Sequence, residues 1–559
     1  MKKALFISLG VLAASFTQAQ VLYVNNSNGT YQRIDTQQAG DMTFDEEQQL
    51  IRIGLGGGIA TRFATGKVTN IAPVSNNGTE LTYDLNPTVA FDAADKDNFN
   101  EIIRDIPTDE LDEEYGDFVE NYSTSRIITI TFSETGVKTS SLPSGITATI
   151  NGGHIVINSS LGKIGYQVKG TCSNGSFKIY SEKKFRLLLN KLTLTNPTGP
   201  AINVQSGKTV YLSIVNGTTN TLCDGATYSA PVVGADGKEE DQRGTIFSEG
   251  QIIIDGYTNG TGTLNVMSLG GHAISSDDYI IVRGGNINIL SAAKDGFRTK
   301  DKFVIGRTED YSPTIIVNAT SNGIECTEGS LTIEAGKLNI TSGGEGIKVV
   351  YEEEMPDPSV TPDADIKGGY ISITTTGEKS SAIQTTRNYT QSGGIIATTV
   401  NGNGSKIINC DGVATFDGGK LTGVANGTVA ADTTSAGGIK STGALRINGG
   451  EIAIECKGKG SKAINCDSDV TINDGDMTLL ATGENYTEIE DDKKTRAITA
   501  ESITVNNGTV IAKAHDHAFA SNSTIEINGG TVNAYSTGST ALNAEATQTG
   551  GWLLTQDAE

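Results

Sequence analysis

The sequence is poor in proline, tryptophan and charge, and it has no long apolar run beyond its first residues. Of 559 residues, 11 are proline and one is tryptophan; aromatic residues make up 6% and charged residues 19%. No interior stretch approaches the roughly 18 apolar residues that a membrane-crossing helix needs. An outer-membrane barrel needs aromatic girdles, which this composition does not supply. Cys-x-x-Cys, His-Glu-x-x-His and Gly-x-Ser-x-Gly are all missing, so the common zinc and serine-hydrolase signatures are excluded. Basic residues number 42 against 65 acids, a formal net charge of -23. That balance speaks against nucleic acid and anionic membrane surfaces as partners. It also means that a polyanionic ligand calls for a bridging cation.

What the chain has in abundance is glycine, 68 residues of it, among Thr, Asn and Ser, a mixture unfavourable to helix. The N-terminus reads as a targeting segment over residues 1–19. Lys2 and Lys3 precede the apolar run Ala4 to Ala14, and Thr17-Gln18-Ala19 forms a small-residue cleavage site. No cysteine stands near it, so the expectation is an exported protein that is not a lipoprotein, with no membrane insertion.

From about residue 245 the chain repeats. A turn followed by alternating β residues recurs as Gly284-Gly285-Asn286-Ile287, Gly368-Gly369-Tyr370-Ile371, Gly449-Gly450-Glu451-Ile452 and Gly529-Gly530-Thr531-Val532. Each is followed by a short strand around one apolar anchor. The anchors are Ile274, Phe297, Ile324, Ile347, Ile383, Ile408, Ile439, Ile464, Ile498, Phe519 and Leu542. Their spacing clusters near about 23 to 25 residues, too short for a self-contained core but right for one coil of a parallel β-solenoid. Successive coils would then stack about 4.8 Å apart. The longer spacings predict loops, the clearest being Tyr351 to Asp365 and Asn485 to Lys494.

Six cysteines in an exported chain would ordinarily indicate disulfides. Here Cys326, Cys410 and Cys466 each follow an anchor by two residues, in the column that elsewhere holds Ser276, Thr299, Thr385 and Ser441. They read as small buried side chains stacked inside the coils. Residues 119–559 are assigned to the solenoid, its first coils and cap lying between 120 and 245. Residues 20–118 are assigned to a small β segment (Val21 to Val24, Leu50 to Ile53) and an acidic linker that includes Asp109 to Glu114.

The Gly199-Pro200-Ala201-Ile202 corner, the strand-Gly-Gly units and the Asp295-Gly296-Phe297, Asn322-Gly323-Ile324 and Glu345-Gly346-Ile347 corners carry a resemblance. The chain resembles the secreted bacterial carbohydrate-binding proteins of right-handed, single-stranded parallel β-helix fold, structural kin of the family 9 polysaccharide lyases. The resemblance covers roughly residues 120 to 555. It implies an all-β fold, bound calcium, and affinity for plant cell-wall polysaccharides or acidic, pectin-like chains. That family's corner reads Asp-Asp-Gly-Ile; here only Asp295 keeps the aspartate before the glycine.

Stacking the coils on the anchors collects the candidate site residues. Two positions before the anchor stand His272, Asp295, Asn322 and Glu345; four after it stand Asp278, Asp301 and Glu328. Stacked carboxylates repel unless a cation lies between them, and calcium takes about six to eight oxygens. Asp277, Asp278, Asp295, Asp301 and Glu345 are therefore the candidate calcium ligands, with a solvated acidic edge as the alternative. One position after the anchor stand Ser275, Arg298, Glu325 and Lys348. A salt-bridge ladder accounts for the last three; the functional alternative is that Arg298, Lys300 and Lys348 bind uronate carboxylates. Three functions remain: non-catalytic, calcium-assisted polysaccharide binding first, then a calcium-dependent lyase on uronate polymers with Lys300 as its base, then a surface adhesin. The Gly550-Gly551-Trp552 coil start either caps the solenoid or leaves an open end for cell-surface assembly.

Overall fold

The computed structural model describes residues 21–98, 115–234, 237–255, 260–307, 311–351, 358–488 and 492–558. Residues 1–19, expected to be a leader, the acidic run Asp109 to Glu114, residues 352–357 of the Tyr351 to Asp365 loop and residues 489–491 of the Asn485 to Lys494 loop lie outside them. The chain is a parallel β-helix, divided into two compact units: residues 90–442, and residues 1–89 together with 443–559.

In the 90–442 unit each complete coil lays down three strands. One coil comprises His272–Ser276, Ile280–Val282 and Asn286–Ala292; the next comprises Phe297–Thr299, Phe303–Ile305 and Thr314–Ala319. Each strand pairs in parallel with its counterpart one coil on. The anchors lie in register, Ile274 opposite Phe297, then Ile324, Ile347, Ile383, Ile408 and Ile439. The column also extends backwards through Ile246 and Ile202 to Phe177. The short strands alternate inward, outward, inward, as period-two side chains on a one-sided core must. Two residues after the anchors, Thr299, Cys326, Val349, Thr385 and Cys410 form one fully buried column. All six cysteines are free, and five are buried.

The Gly-Gly turns are set by how closely the coils stack. Gly369 has φ +82°, and a Cβ there would stand 2.8 Å from the Gly336 carbonyl oxygen. A side chain is excluded on both counts. The first coils are wider: Arg126–Ser133, Ile164–Cys172 and Phe185–Thr195 pair in parallel, while Ile146–Asn151 and Gly153–Ser159 form an antiparallel hairpin. Residues 115–122 cross an outward apolar patch of this unit. Val119 packs on Tyr211, Ile253 and Ile281, Tyr122 stacks on Tyr211 at 4.6 Å, and Tyr211 Oη donates to the Gly116 carbonyl at 2.9 Å.

The other unit carries the last coils, with Ile464, Ile498 and Phe519 in register and Phe519 bridged to Leu542. Its final strand, Trp552–Gln556, pairs in parallel with Thr531–Ser536. On its other side it pairs antiparallel with Ile59–Ala64, which continues into Leu50–Gly56 and Met42–Asp45. The edge of the last coil is thus covered by strands from the start of the same chain. A four-stranded sheet led by Val21–Asn26 adjoins them, and Leu22, Val24, Ile34, Ile53, Phe63 and Trp552 share one core.

Candidate functional site

The short-strand sheet of the 90–442 unit presents one outward residue per coil. In register, after the fully buried Ser275, these are Arg298, Glu325, Lys348, Gln384, Asn409 and Lys440. Parallel pairing spaces them by about 4.8 Å. Glu325 Oε2 lies 3.6 Å from Arg298 Nε, and its Oε1 lies 3.3 Å from Lys348 Nζ. Burial pushes the Glu325 carboxyl up, as does the nearby Asp295, while Lys348 and Arg298 hold it down. The ladder therefore exists, and it contains two cations against one carboxylate.

The column two residues before the anchor is a chain of side-chain to main-chain hydrogen bonds. Asp295 Oδ1 accepts from the Asn322 N–H at 2.8 Å, and Asn322 Oδ1 from the Glu345 N–H at 3.0 Å. Only an acceptor side chain can do this, which is why Asp and Asn interchange at these corners. Asp295 also lies 2.9 Å from His272 Nδ1. Burial opposes its charge, but the His272 and Asn322 contacts outweigh burial and hold the carboxyl below its ordinary range.

The five acids expected to supply one or more calcium sites fall into separate groups. Asp295 and Glu345 belong to this corner column. Asp278 and Asp301 stand together: Gln251 donates to Asp278, and the Asp301 carboxyl is pushed up by burial and by Asp278. Asp277 joins Asp241 and Glu249, two acids the sequence reading did not single out. Carboxylate oxygens of these three lie within 4.8 Å of one another.

Asp241 arrives on an insertion between Thr219–Cys223 and Gly244–Ser248. The insertion is rooted at the buried Asp224, which accepts from Tyr228 Oη at 2.5 Å, Ser268 Oγ at 2.6 Å and the Leu269 N–H at 2.5 Å. Glu240 holds it to Tyr180 at 2.6 Å and to Lys178, and the Asp241 carbonyl accepts from Gln205 Nε2 at 2.7 Å. The fork of Arg243 reaches Asp277 Oδ1 and Asp241 Oδ2, each at 2.9 Å. Arg243 contacts two of the three carboxylates, and Arg298 also pulls on Asp277. Burial pushes the Asp277 carboxyl up to about 6, against the pull of Arg243 and with the added push of Asp241. Glu249 is likewise raised by burial and by Asp277. Oxygen donors with surplus negative charge fit a hard divalent cation. Arg243 already bridges two of them, so a cation at this cluster would have to compete with the guanidinium.

The candidate base Lys300 is half exposed and lies 3.3 Å from Glu328. Lys406 is different: burial, then the neighbouring Lys440, lowers its ammonium to about 8. Its sequence signal is weak, a lysine in the corner column where other coils place His, Asp or Asn. The acid-rich run Glu239-Glu240-Asp241 was the corresponding signal for the insertion.

No curated protein sequence matches the chain. Among solved structures, the polysaccharide lyase-like protein from C. thermocellum, determined as a gadolinium derivative, is similar at 21% identity with a TM-score of 0.36. That similarity covers 52% of this chain and 96% of the other. The model of a family described as carbohydrate-binding domain-containing protein matches residues 151–479 and 422–541, which take in most of the coils, and the chain belongs to that family.

Proposed function

We propose that the protein is exported and binds an acidic, uronate-containing polysaccharide without cleaving it, assisted by calcium. The observation that carries this reading is the outward column with Arg298, Lys348 and Lys440, one position per coil. A polysaccharide chain laid along the coils meets a polar side chain at each step, and its repeat is of the same order as the coil spacing of about 4.8 Å. Arg298 and Lys348 flank Glu325 on this face, and the planar guanidinium of Arg298 matches a uronate carboxylate. Calcium held by Asp241, Glu249 and Asp277 would offset their surplus charge and supply a cation to ligand carboxylates. The test is affinity electrophoresis in polygalacturonate gels, with calcium and with chelator. Calcium-dependent retardation supports the reading, and free migration in both gels removes it.

One observation favours a second reading, a polysaccharide lyase. β-Elimination needs a base beside the sugar proton, and a lysine lowered to about 8 is partly neutral near neutral pH. In this reading Lys406 takes the place assigned to Lys300. Growth of unsaturated-uronate absorbance that is lost in Lys406→Met would establish it; a flat trace with polygalacturonate would leave binding alone.

A further inference from the structure

The unit formed by residues 1–89 and 443–559 contains a groove of about 640 Å³, within the range of about 300–1,000 Å³ usual for small-ligand sites. One wall is the turn after Val21–Asn26, with Asn28, and the nearby Lys67. The other is the series of Gly-Gly corners of the last coils, with Asp474 and Asp476. Phe63 and Trp552, paired across the antiparallel strands, line its base.

We infer that this groove is a second carbohydrate site, for a neutral, hydroxyl-rich oligosaccharide. It is independent of the uronate face and of calcium. The frame is rigid: Asp476, Thr509, Thr531 and Trp552 are successive residues of one ladder column, the first of each strand after its corner. Asn28 is fixed as well, its Oδ1 accepting from Thr30 N at 3.1 Å and Thr30 Oγ1 at 2.8 Å. Such a lining offers what sugar hydroxyls require, carboxylates and amide oxygens to accept, and an ammonium and amide groups to donate. The two carboxylates outweigh Lys67, so a uronate is repelled where a neutral sugar is not. The aromatic pair is nearly buried, so it supplies an apolar base and not an exposed stacking platform. Trp552 Nε1 donates to Thr61 Oγ1 at 2.5 Å, which fixes the indole.

The chain's single tryptophan therefore reports on this groove. The experiment is a fluorescence titration of the full chain with cellohexaose, xylohexaose and mannohexaose, with hexagalacturonate as the charged control, in calcium and in chelator. At least one neutral hexasaccharide should shift the Trp552 emission saturably and equally in both buffers, and hexagalacturonate should not. Asp476→Ala and Lys67→Ala, both at exposed positions, should each weaken that binding by about tenfold or more with unchanged thermal unfolding. The inference is overturned if no neutral hexasaccharide shifts the emission, or if binding survives both substitutions intact. Polygalacturonate retardation belongs to the other unit's face and is unaffected by either result.

Discussion

The carboxylate of Asp295 accepts the main-chain N–H of Asn322 at 2.8 Å, so a side chain of one coil fixes the corner of the next. Removing such a buried acceptor leaves its donor unsatisfied, a cost of about 1–3 kcal/mol. Asp295→Ala should lower stability by that amount in urea unfolding. Asp295→Asn, whose amide oxygen still accepts, should keep most of it. Calcium affinity should be the same for Asp295→Asn and the native chain, because the corner column and the Asp241, Glu249, Asp277 cluster are separate groups.

If calcium binds the Asp241, Glu249 and Asp277 carboxylates, it must compete with Arg243, which already contacts two of them. Arg243→Gln should therefore tighten calcium binding in calorimetry, by about tenfold if one full charge-assisted contact is released. Equal or weaker affinity in the variant would remove calcium from this cluster.

The pH dependence follows from Asp277. Its folded carboxyl titrates at about 6, against an ordinary 3.8. Between those values the folded chain holds a proton that the unfolded chain has released, so this group's contribution to stability falls as pH rises through the window. A cation binds the deprotonated set. The rise in Tm on adding calcium should be present at about pH 7.5 and absent at about pH 5. A rise of equal size at both would contradict the assignment.

Glu325 neutralises part of the cationic ladder. Glu325→Gln should strengthen polygalacturonate retardation, and Arg298→Gln with Lys348→Gln should abolish it. A ladder that serves stability alone would leave retardation unchanged in both.

Val119, on the segment 115–122, is fully buried against Tyr211, Ile253 and Ile281. Val119→Ser should cost about 1.5–3 kcal/mol, the value of burying a valine side chain, read as a lower urea midpoint with an unchanged slope.

The coil register was legible because each anchor is a local event: a glycine corner, an apolar residue, and a small residue two positions on. Cys326 and Cys410 in the same column as Thr299 and Thr385 follow from that period alone. The insertion bearing Asp241 and Arg243 was not legible. Its position depends on distant pairs such as Lys178 with Glu240, and no period encodes them. The cover on the last coil was equally hidden. Phe63 pairs with Trp552, and Thr61 accepts its indole N–H across 491 positions of chain. Periodicity places residues within a coil stack, whereas antiparallel closure between distant segments leaves no spacing to read. Among the candidate site residues, Arg298 and Lys348 could be singled out because they stand in a column. Glu249 and Lys406 were missed because their character comes from burial and neighbours.

The central claim is that the outward column of the coils binds an acidic polysaccharide and calcium assists it. Its most direct test is the native chain against polygalacturonate, with calcium and with chelator, reading gel retardation and unsaturated-uronate absorbance on the same samples. The account predicts retardation that depends on calcium, with no growth in absorbance. Absence of retardation in both conditions would contradict it, and growing absorbance would replace the binding protein with a lyase.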